Sequence, residues 1–172
     1  YIFAIMPLTA IGSAVIAVAG SAFGARNGDY LSRTHKYGVK FGLALGTAIT
    51  LILVIFATPL ATIFAYTPET ANLVPGIAQY LQLVCPCLIL TGIGMPSSFF
   101  YQGIGKGIFS LMFTILREIL FVVPLIYVFV FILNMDLVGI WLGLCIGRAI
   151  ASILNYAFAR YEIKRIRENF GN

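Results

Sequence analysis

Charged side chains are what this sequence most clearly lacks. Asp, Glu, Lys and Arg together make up 10% of its 172 residues, against about 25% in an ordinary soluble domain. Hydrophobic residues make up 60%, and the mean hydropathy is +0.99. A helix at the surface of a soluble protein needs a polar face, and runs such as 43–57 and 119–133 have almost none. The composition therefore excludes a soluble domain, and the missing polar–apolar alternation excludes a membrane β-barrel.

Side chains that carry chemistry are also few. His35 is the only histidine, and it falls in a predicted loop whose one acid is Asp29. We find no Ser/His/Asp arrangement, no metal-ligating cluster and no phosphate-binding glycine motif in the sequence. We therefore predict that the chain is not an enzyme and has no catalytic residues, cofactor or metal site. Because Cys85, Cys87 and Cys145 lie in apolar runs, we interpret them as small buried residues, not as a metal or redox site.

Long apolar runs are what the sequence does have. A helix needs about 20 mostly apolar residues to cross the hydrocarbon core of a bilayer. We predict an all-α, polytopic membrane bundle that forms a single domain, because no linker divides the chain. The chain begins at Tyr1 inside an apolar run, which indicates a fragment. The five predicted spans lie at roughly 1–22, 37–66, 71–101, 108–133 and 137–159, and a basic tail follows at 160–172.

Basic residues fall at every second connection between these spans. The outer connections hold only the acids Glu69 and Asp136. Because Lys and Arg are retained on the cytoplasmic side, we predict a multi-pass protein of the cell (inner) membrane with a cytoplasmic C-terminus. The lipid bilayer is its first partner, and nucleic acid is not one, because the basic residues are not interleaved with exposed aromatics. The basic residues of the cytoplasmic connections and tail are Arg26, Arg33, Lys36, Lys40, Lys106, Arg160, Lys164, Arg165 and Arg167.

Two sequence patterns predict how the spans pack and bend. Small residues four apart share one helix face and allow close backbone approach between helices in lipid. Prolines free backbone carbonyls, so we expect the third span to bend where Pro86 and Pro96 flank two glycines. The glycines at four-residue spacing are Gly38, Gly42 and Gly46 in the second span and Gly139, Gly143 and Gly147 in the fifth.

Polar side chains within the spans are the candidate functional residues. In hydrocarbon such groups face the bundle interior or a wet cavity, where they line a solute path or bond helices to one another. Arg117 and Glu118 point about 100° apart on an α-helix, so we do not expect them to pair with each other. Arg117 either lines the path or extends towards the headgroups, and Arg148 needs an internal partner, for which Glu118 is a candidate. We predict that the cavity is lined by Gln79, Gln82, Thr91, Ser98, Gln102, Arg117 and Glu118.

Several segments together resemble a known transporter family. They follow the order of that family along the whole chain, although no single one is decisive. They are similar to the C-terminal lobe of multidrug and toxic compound extrusion (MATE) transporters. The segments are 20–28 (GSAFGARNG) followed by Arg33, then 101–107 (YQGIGKG), 116–118 (LRE), 124–125 (PL) and 137–143 (LVGIWLG).

The resemblance implies an architecture and an activity. The family has twelve helices in two lobes with a solute cavity between or within them, and these spans would be helices eight to twelve. The N-terminal lobe of the same chain would be a partner, and a small organic solute the cargo. The implied function is an antiporter that exports organic or amphipathic solutes, coupled to Na⁺ or H⁺. Some members place coupling acids on the tenth helix, but the matching segment 71–101 has no Asp or Glu. We therefore expect the ion site in the N-terminal lobe.

Two alternatives stay open. The first is a lipid-linked oligosaccharide flippase of the same superfamily, which would show a more basic cavity, and here only Arg117 and Arg148 are available to line one. The second is a membrane scaffold that transports nothing. A scaffold would not need Gln79, Gln82, Arg117 and Glu118 inside the bilayer.

Overall fold

The protein is a bundle of helices, seen here in a computed structural model that describes residues 2–65 and 73–170. No strand occurs within those two ranges. The connection that carries Glu69 and the ends of the chain at Tyr1 and 171–172 lie outside the described residues. The helices are α1 (Ile2–Gly24), α2 (Gly28–Ile55), α3 (Ala57–Phe64), α4 (Val74–Val84), α5 (Cys87–Gly103), α6 (Gly107–Ile115), the π-helical π1 (Leu116–Val122), α7 (Val123–Tyr127), the π-helical π2 (Val128–Ile132) and α8 (Asp136–Phe170).

Four of these rods are long and apolar enough to cross a bilayer. They are α1, α2, the continuous rod from Gly107 to Ile132, and α8. The helices α4 and α5 add a fifth crossing if the bent pair is taken as one span. Exposed Leu, Ile and Phe side chains on the outside of the bundle suit contact with lipid tails. The predicted all-α membrane bundle is confirmed.

The predicted bend in the third span lies at Pro86. The axes of α4 and α5 meet there at 49°, whereas α5 continues through Pro96 without a break. Proline lacks the backbone N–H, so the helix ladder is interrupted at this point. The Thr50 hydroxyl of α2 donates a 2.9 Å hydrogen bond to the Cys85 carbonyl at the break. The same carbonyl accepts a 2.9 Å hydrogen bond from the Leu88 N–H, so a turn within the span and a neighbouring helix both satisfy it at the break.

The glycine rows mediate close helix packing, as the spacing predicts. Gly42 of α2 lies directly against the backbone of Gly92 in α5, where a Cβ on either residue would collide with the other's carbonyl oxygen. A Cβ on Gly46 would lie 2.7 Å from the Leu88 carbonyl oxygen. On α8, a Cβ on Gly143 would lie 2.8 Å from the Ile126 backbone nitrogen. These glycines are needed because backbone, not a movable side chain, occupies the space.

The first connection is much shorter than the sequence indicated. The span 37–66 was expected to follow a loop, but α2 already begins at Gly28. The Asn27 side chain caps this helix by accepting a 2.9 Å hydrogen bond from the Tyr30 N–H. His35, expected in the loop, therefore lies inside α2 and is fully buried. The loop assignment was wrong because the basic residues occupy the exposed face of a helix whose other face packs inward.

Two cysteines also differ from expectation. Cys87 of α5 and Cys145 of α8 form a disulfide, with their Cα atoms 5.4 Å apart, while Cys85 is free and buried. This Cα separation is common for disulfides. The interpretation as small apolar residues was thus wrong for Cys87 and Cys145. The sequence separation of 58 residues gave no sign that the two helices meet at this point.

The last helix continues well past the bilayer-length segment. α8 has 35 residues and runs through the basic segment as far as Phe170. Two ion pairs tie this extension to the neighbouring connections: Lys106 with Glu162, and Arg167 with Asp29 at 2.8 Å. A core cluster around Phe100, Ala159 and Ile163 packs beside them. The two connections and the end of α8 therefore form one end of the bundle.

Candidate functional site

A polar cavity lies between α5, α6, π1 and α8. It has a volume of about 220 Å³, and hydroxyl and amide groups provide much of its wall. Ser98 and Ser110 share a 2.8 Å hydrogen bond between their hydroxyl oxygens, and the Gln102 amide donates to the Ser110 oxygen at 3.1 Å. The polar side chains that line it are Thr91, Ser98, Gln102, Ser110, Thr114, Arg117, Ser152 and Asn155.

Asn155 is the most deeply buried amide of this wall, with 7% of the residue exposed. Its Nδ2 donates a 3.2 Å hydrogen bond to the Gly94 carbonyl. Its Oδ1 accepts no hydrogen bond from any residue that the structure describes. A buried amide oxygen without a donor is costly, so Asn155 adds an unsatisfied acceptor to the wall of the cavity. Asn155 was not among the predicted lining residues, because its place in this wall depends on how α8 packs against α5.

A charged cluster adjoins the polar cavity on the π-helical segment π1. The Glu118 Oε1 accepts a 3.0 Å hydrogen bond from the Arg117 Nε, and the Arg148 Nη2 lies 4.0 Å from the same oxygen. The Glu118 carboxylate therefore lies between the guanidinium groups of Arg117 and Arg148 as the anion nearest to both. The side chains are 35%, 40% and 26% exposed for Arg117, Glu118 and Arg148, so all three remain partly open.

Pairing between Arg117 and Glu118 contradicts the expectation from α-helical geometry. A π-helix turns less per residue than an α-helix because its hydrogen bonds run from i to i+5, and this brings adjacent side chains closer together. The long arginine arm closes the remaining gap. Short π-helical segments are frequent at functional sites, which agrees with the position of this one beside the cavity. The expected contact between Arg148 and Glu118 is present.

Arg117 also borders two further cavities. One, of about 260 Å³, is shared with Thr91, Arg148 and Ser152. The other, of about 450 Å³, is mainly aromatic. Its stacked rings include Tyr101 with Phe113 at 5.7 Å between centroids, and Phe113 with Phe158 at 5.3 Å. We call these the polar cavity, the two-arginine cavity and the aromatic cavity.

The structure brings together most of the predicted lining residues but not all of them. Thr91, Ser98, Gln102 and Arg117 line the polar cavity, and Glu118 bonds to Arg117 beside it. Gln79 and Gln82 are exposed on α4, outside the three cavities around Arg117. Their assignment to the cavity stays a prediction, and α4 lies on the far side of the bend from the polar wall.

His35 also contributes to the packing of the bundle, although it was predicted to lie in a loop. Its Nε2 and the Ser97 hydroxyl are 3.0 Å apart, so they share a hydrogen bond between α2 and α5. The ring stacks on Tyr156 and meets the edge of Phe100. The spacing of His35 to Gly38 and Gly42 puts it on the same buried helix face, and that spacing was the available signal. In this position His35 bonds three helices together.

The described residues hold no group of three or more His, Cys, Asp or Glu side chains placed to bind a metal ion. The arrangement around Arg117 is instead a set of hydrogen-bond donors and acceptors between lipid-facing helices. It can bind a solute through polar contacts and ring stacking. It does not juxtapose a nucleophile with a general base.

Comparisons with known proteins agree on one relationship. A family model described as MatE matches residues 1–128. The inward-facing structure of a multidrug resistance MATE family transporter of the MOP superfamily shares 29% identity with a TM-score of 0.93, covering 97% of this chain and 38% of that one. A MATE structure in complex with MaL6 gives 29% identity and a TM-score of 0.94, covering 97% and 37%.

A third solved structure extends the comparison to an archaeal protein. It is a MOP superfamily transporter from Pyrococcus furiosus, described as having a binding pocket of reverse polarity that suggests a different function. It shares 30% identity with a TM-score of 0.93, covering 96% of this chain and 37% of that one. The search of curated proteins finds no match. The chain therefore spans little more than a third of the length of the solved structures that it matches.

Proposed function

The chain belongs to the MatE family, and from this premise we propose that it forms the C-terminal lobe of a transporter that exports organic or amphipathic solutes in exchange for Na⁺ or H⁺. The family match, the similar structures and the multi-pass helical bundle support this proposal. Family members move solutes and do not transform them, so we propose no enzymatic activity. The bilayer surrounds the lobe, and its partners are the N-terminal lobe of the same chain and a small solute, with no nucleic acid.

The observation that carries the proposal is the polar wall inside an apolar bundle. Amides, hydroxyls and charges within a bilayer are costly and persist where they line a wet cavity or a transport path. Here Thr91, Ser98, Gln102, Arg117 and Asn155 converge on one cavity from three elements, α5, π1 and α8. A scaffold that only packs against lipid has no need of such a cavity. We therefore assign this wall to the solute path.

Energy coupling is proposed to reside outside this chain. The described segments of the bent span, α4 and α5, contain no Asp or Glu, and Glu118 is already engaged by Arg117. A Na⁺ site needs several oxygen ligands, including carboxylates or carbonyls, and a proton site needs a carboxylate that can release its proton. We place the coupling-ion site in the N-terminal lobe. We propose that the 49° bend at Pro86 acts as a hinge that follows the movement of that lobe.

We further propose that the end of the bundle formed by Tyr30, Lys106 and the tail of α8 lies in the cytoplasm of the cell (inner) membrane. The bias of Lys and Arg to this end supports the orientation. Single cysteines replacing Tyr30 and Lys164 should react with a membrane-impermeant maleimide only after permeabilisation. A cysteine replacing Leu133, which is exposed at the opposite end of the rod, should react in intact cells.

The unsubstituted chain is the control for this labelling, because its Cys85 is buried. Replacing Tyr30 leaves every basic residue of the first connection in place. Reaction of the Tyr30→Cys variant in intact cells, or of the Leu133→Cys variant only after permeabilisation, would contradict the orientation.

One observation favours the flippase as a second candidate. Arg117 and Arg148 do line a common cavity, as a basic site for a lipid-linked diphosphate would require. The aromatic cavity beside them offers space for an apolar chain. The flippase and the exporter differ in whether the cargo remains anchored in the membrane.

Reconstitution of the complete gene product tests the exporter. Proteoliposomes should accumulate at least one of a panel of cationic, neutral and anionic aromatic dyes when a Na⁺ or pH gradient is imposed. Uptake should stop when an ionophore collapses that gradient, and vesicles without protein are the control. If no dye moves under either gradient, while a fluorescent polyprenyl-diphosphate glycan equilibrates between leaflets, the flippase replaces the exporter.

A further inference from the structure

Arg117 lies where the polar, two-arginine and aromatic cavities meet. The first two also share the side chains of Thr91, Met95 and Ser152. A single solute can therefore contact all three cavities at once. Its polar group would lie near the arginines and its apolar body among the rings.

The charge around this junction is unequal. Arg117 and Arg148 share the one carboxylate of Glu118. Within the described part of the chain, neither the polar cavity nor the two-arginine cavity has Asp or Glu among its lining residues. Glu162 lines the aromatic cavity, where it is paired with Lys106 and where Arg165 also lies. Cavities of one sign with low-dielectric walls concentrate ions of the opposite sign, and here that ion is an anion.

The neighbouring polar groups suit an oxyanion. Guanidinium groups bind carboxylate, phosphate and sulfonate through charge-assisted hydrogen bonds that are stronger than neutral ones. The hydroxyls of Thr91 and Ser152 line the same cavity as the two arginines.

The aromatic cavity determines the rest of the ligand. Tyr101, Phe113 and Phe158 form a stack against which a flat apolar body can pack. Aromatic rings also attract organic cations, so these rings alone do not select the charge of the ligand. The selection comes from Arg117, which lines the aromatic cavity, and from Arg148, which shares the adjoining two-arginine cavity with it.

We propose that Arg117 and Arg148 bind the anionic group of an amphipathic solute whose apolar body lies in the aromatic cavity. The substrate class is thus organic anions with a carboxylate, phosphate or sulfonate group. The assignment of this class rests on the proposed transport function, whereas the binding site itself can be measured without transport. Glu118 is the resident anion with which the ligand competes for the two guanidinium groups.

Binding measurements on the complete gene product in phosphatidylcholine nanodiscs test the site. The probes are 2-naphthalenesulfonate and a cation of matched size, N-methylquinolinium. We expect the anion to bind at least about ten-fold more tightly than the cation. Arg148→Gln should lower the affinity for the anion about ten-fold. Arg148→Lys keeps the charge and should retain the preference for the anion.

A variant with the opposite sign keeps the test informative if Arg148→Gln fails to fold. Glu118→Gln removes the competing carboxylate, so the anion should bind several-fold more tightly. Lys164→Gln is the matched control for Arg148→Gln, because it removes one exposed positive charge from α8, the helix that also carries Arg148. It should leave the affinity for the anion unchanged. Equal affinity for the two probes, weaker anion binding in Glu118→Gln, or an equal loss in Lys164→Gln would overturn the site.

The anion can come from a dissolved solute or from a lipid headgroup. Adding phosphatidylglycerol to the nanodiscs separates these sources. Competition of this lipid with the naphthalenesulfonate identifies the headgroup, and the absence of competition identifies the solute.

The proposed anion site and the proposed transport function can also fail separately. Gradient-driven movement of N-methylquinolinium without a preference for anions overturns the site and retains the transporter. Anion binding without transport of any probe retains the site and overturns the transporter.

Discussion

Gly42→Ala should destabilise the bundle by about 3 kcal/mol, which is a large fraction of the stability of a typical domain. The added Cβ would collide with the carbonyl oxygen of Gly92 and lie 3.1 Å from the Pro96 Cγ. A carbonyl in the helix ladder cannot rotate away, so α2 and α5 must move apart. That movement loosens the contact between α2 and α5, the most extensive one between helices in the described residues, beside His35 and Ser97. The midpoint of thermal unfolding of the complete protein in mild detergent measures the loss.

A matched glycine provides the control for this prediction. Gly76 lies within α4, is exposed, and has no atom within 4 Å of the position that a Cβ would take. Gly76→Ala should therefore leave stability unchanged or raise it by up to about 1 kcal/mol, because alanine favours the helix. The two substitutions add the same methyl group and should act in opposite directions. A Gly42→Ala variant as stable as the parent would contradict the packing of α2 on α5.

The spans and their packing could be predicted from the sequence because the bilayer restricts the choices. Hydrocarbon offers no hydrogen-bond partners, so the backbone must make its hydrogen bonds within the helix. An apolar run of sufficient length therefore forms a membrane-spanning α-helix. The close packing at the glycine rows follows from the missing Cβ of glycine, and the bend at Pro86 follows from the missing N–H of proline. Both effects belong to the residue itself. The family resemblance rested on the same local segments and is confirmed by the match over residues 1–128.

The features that were missed depend on which helix faces meet. The composition of segment 24–40 indicates a loop, although residues from Gly28 onward form a helix that buries His35. The disulfide between Cys87 and Cys145 joins helices whose contact no local pattern reveals. Thr91, Ser98, Gln102 and Arg117 could be singled out because polar residues are conspicuous in apolar spans, and the structure brings them to one cavity. Asn155 was overlooked because its role depends on the position of α5.

The pairing of Arg117 with Glu118 shows a further limit. An α-helical wheel separates the two side chains, and only the π-helical winding of π1 brings them together. Nothing in the residues 116–122 marks that winding in advance. The consequence is functional, since the same carboxylate then shares its oxygen with Arg148. The local winding therefore determines the charge arrangement beside the cavities.

Reversing one charge of this cluster should have the second large effect. Arg148→Glu brings a second carboxylate close to Glu118, so two like charges repel at this partly exposed cluster. A charge left without its partner inside a membrane costs about 2 to 3 kcal/mol, and we expect the unfolding free energy to fall by that amount. Lys164→Glu makes the same change of charge at an exposed position of α8 and should alter stability by less than about 0.5 kcal/mol.

Exchanging both charges distinguishes pairing from a general intolerance of position 148. The double variant Glu118→Arg/Arg148→Glu restores the same set of charges around Arg117, so it should recover most of the stability lost by Arg148→Glu. A double-mutant cycle built from unfolding free energies gives the coupling between the two positions, which we expect to reach about 2 kcal/mol. Losses that simply add would mean that Glu118 and Arg148 do not interact. Recovery would show that the carboxylate of π1 and the guanidinium of α8 act as one electrostatic unit at the edge of the proposed anion site.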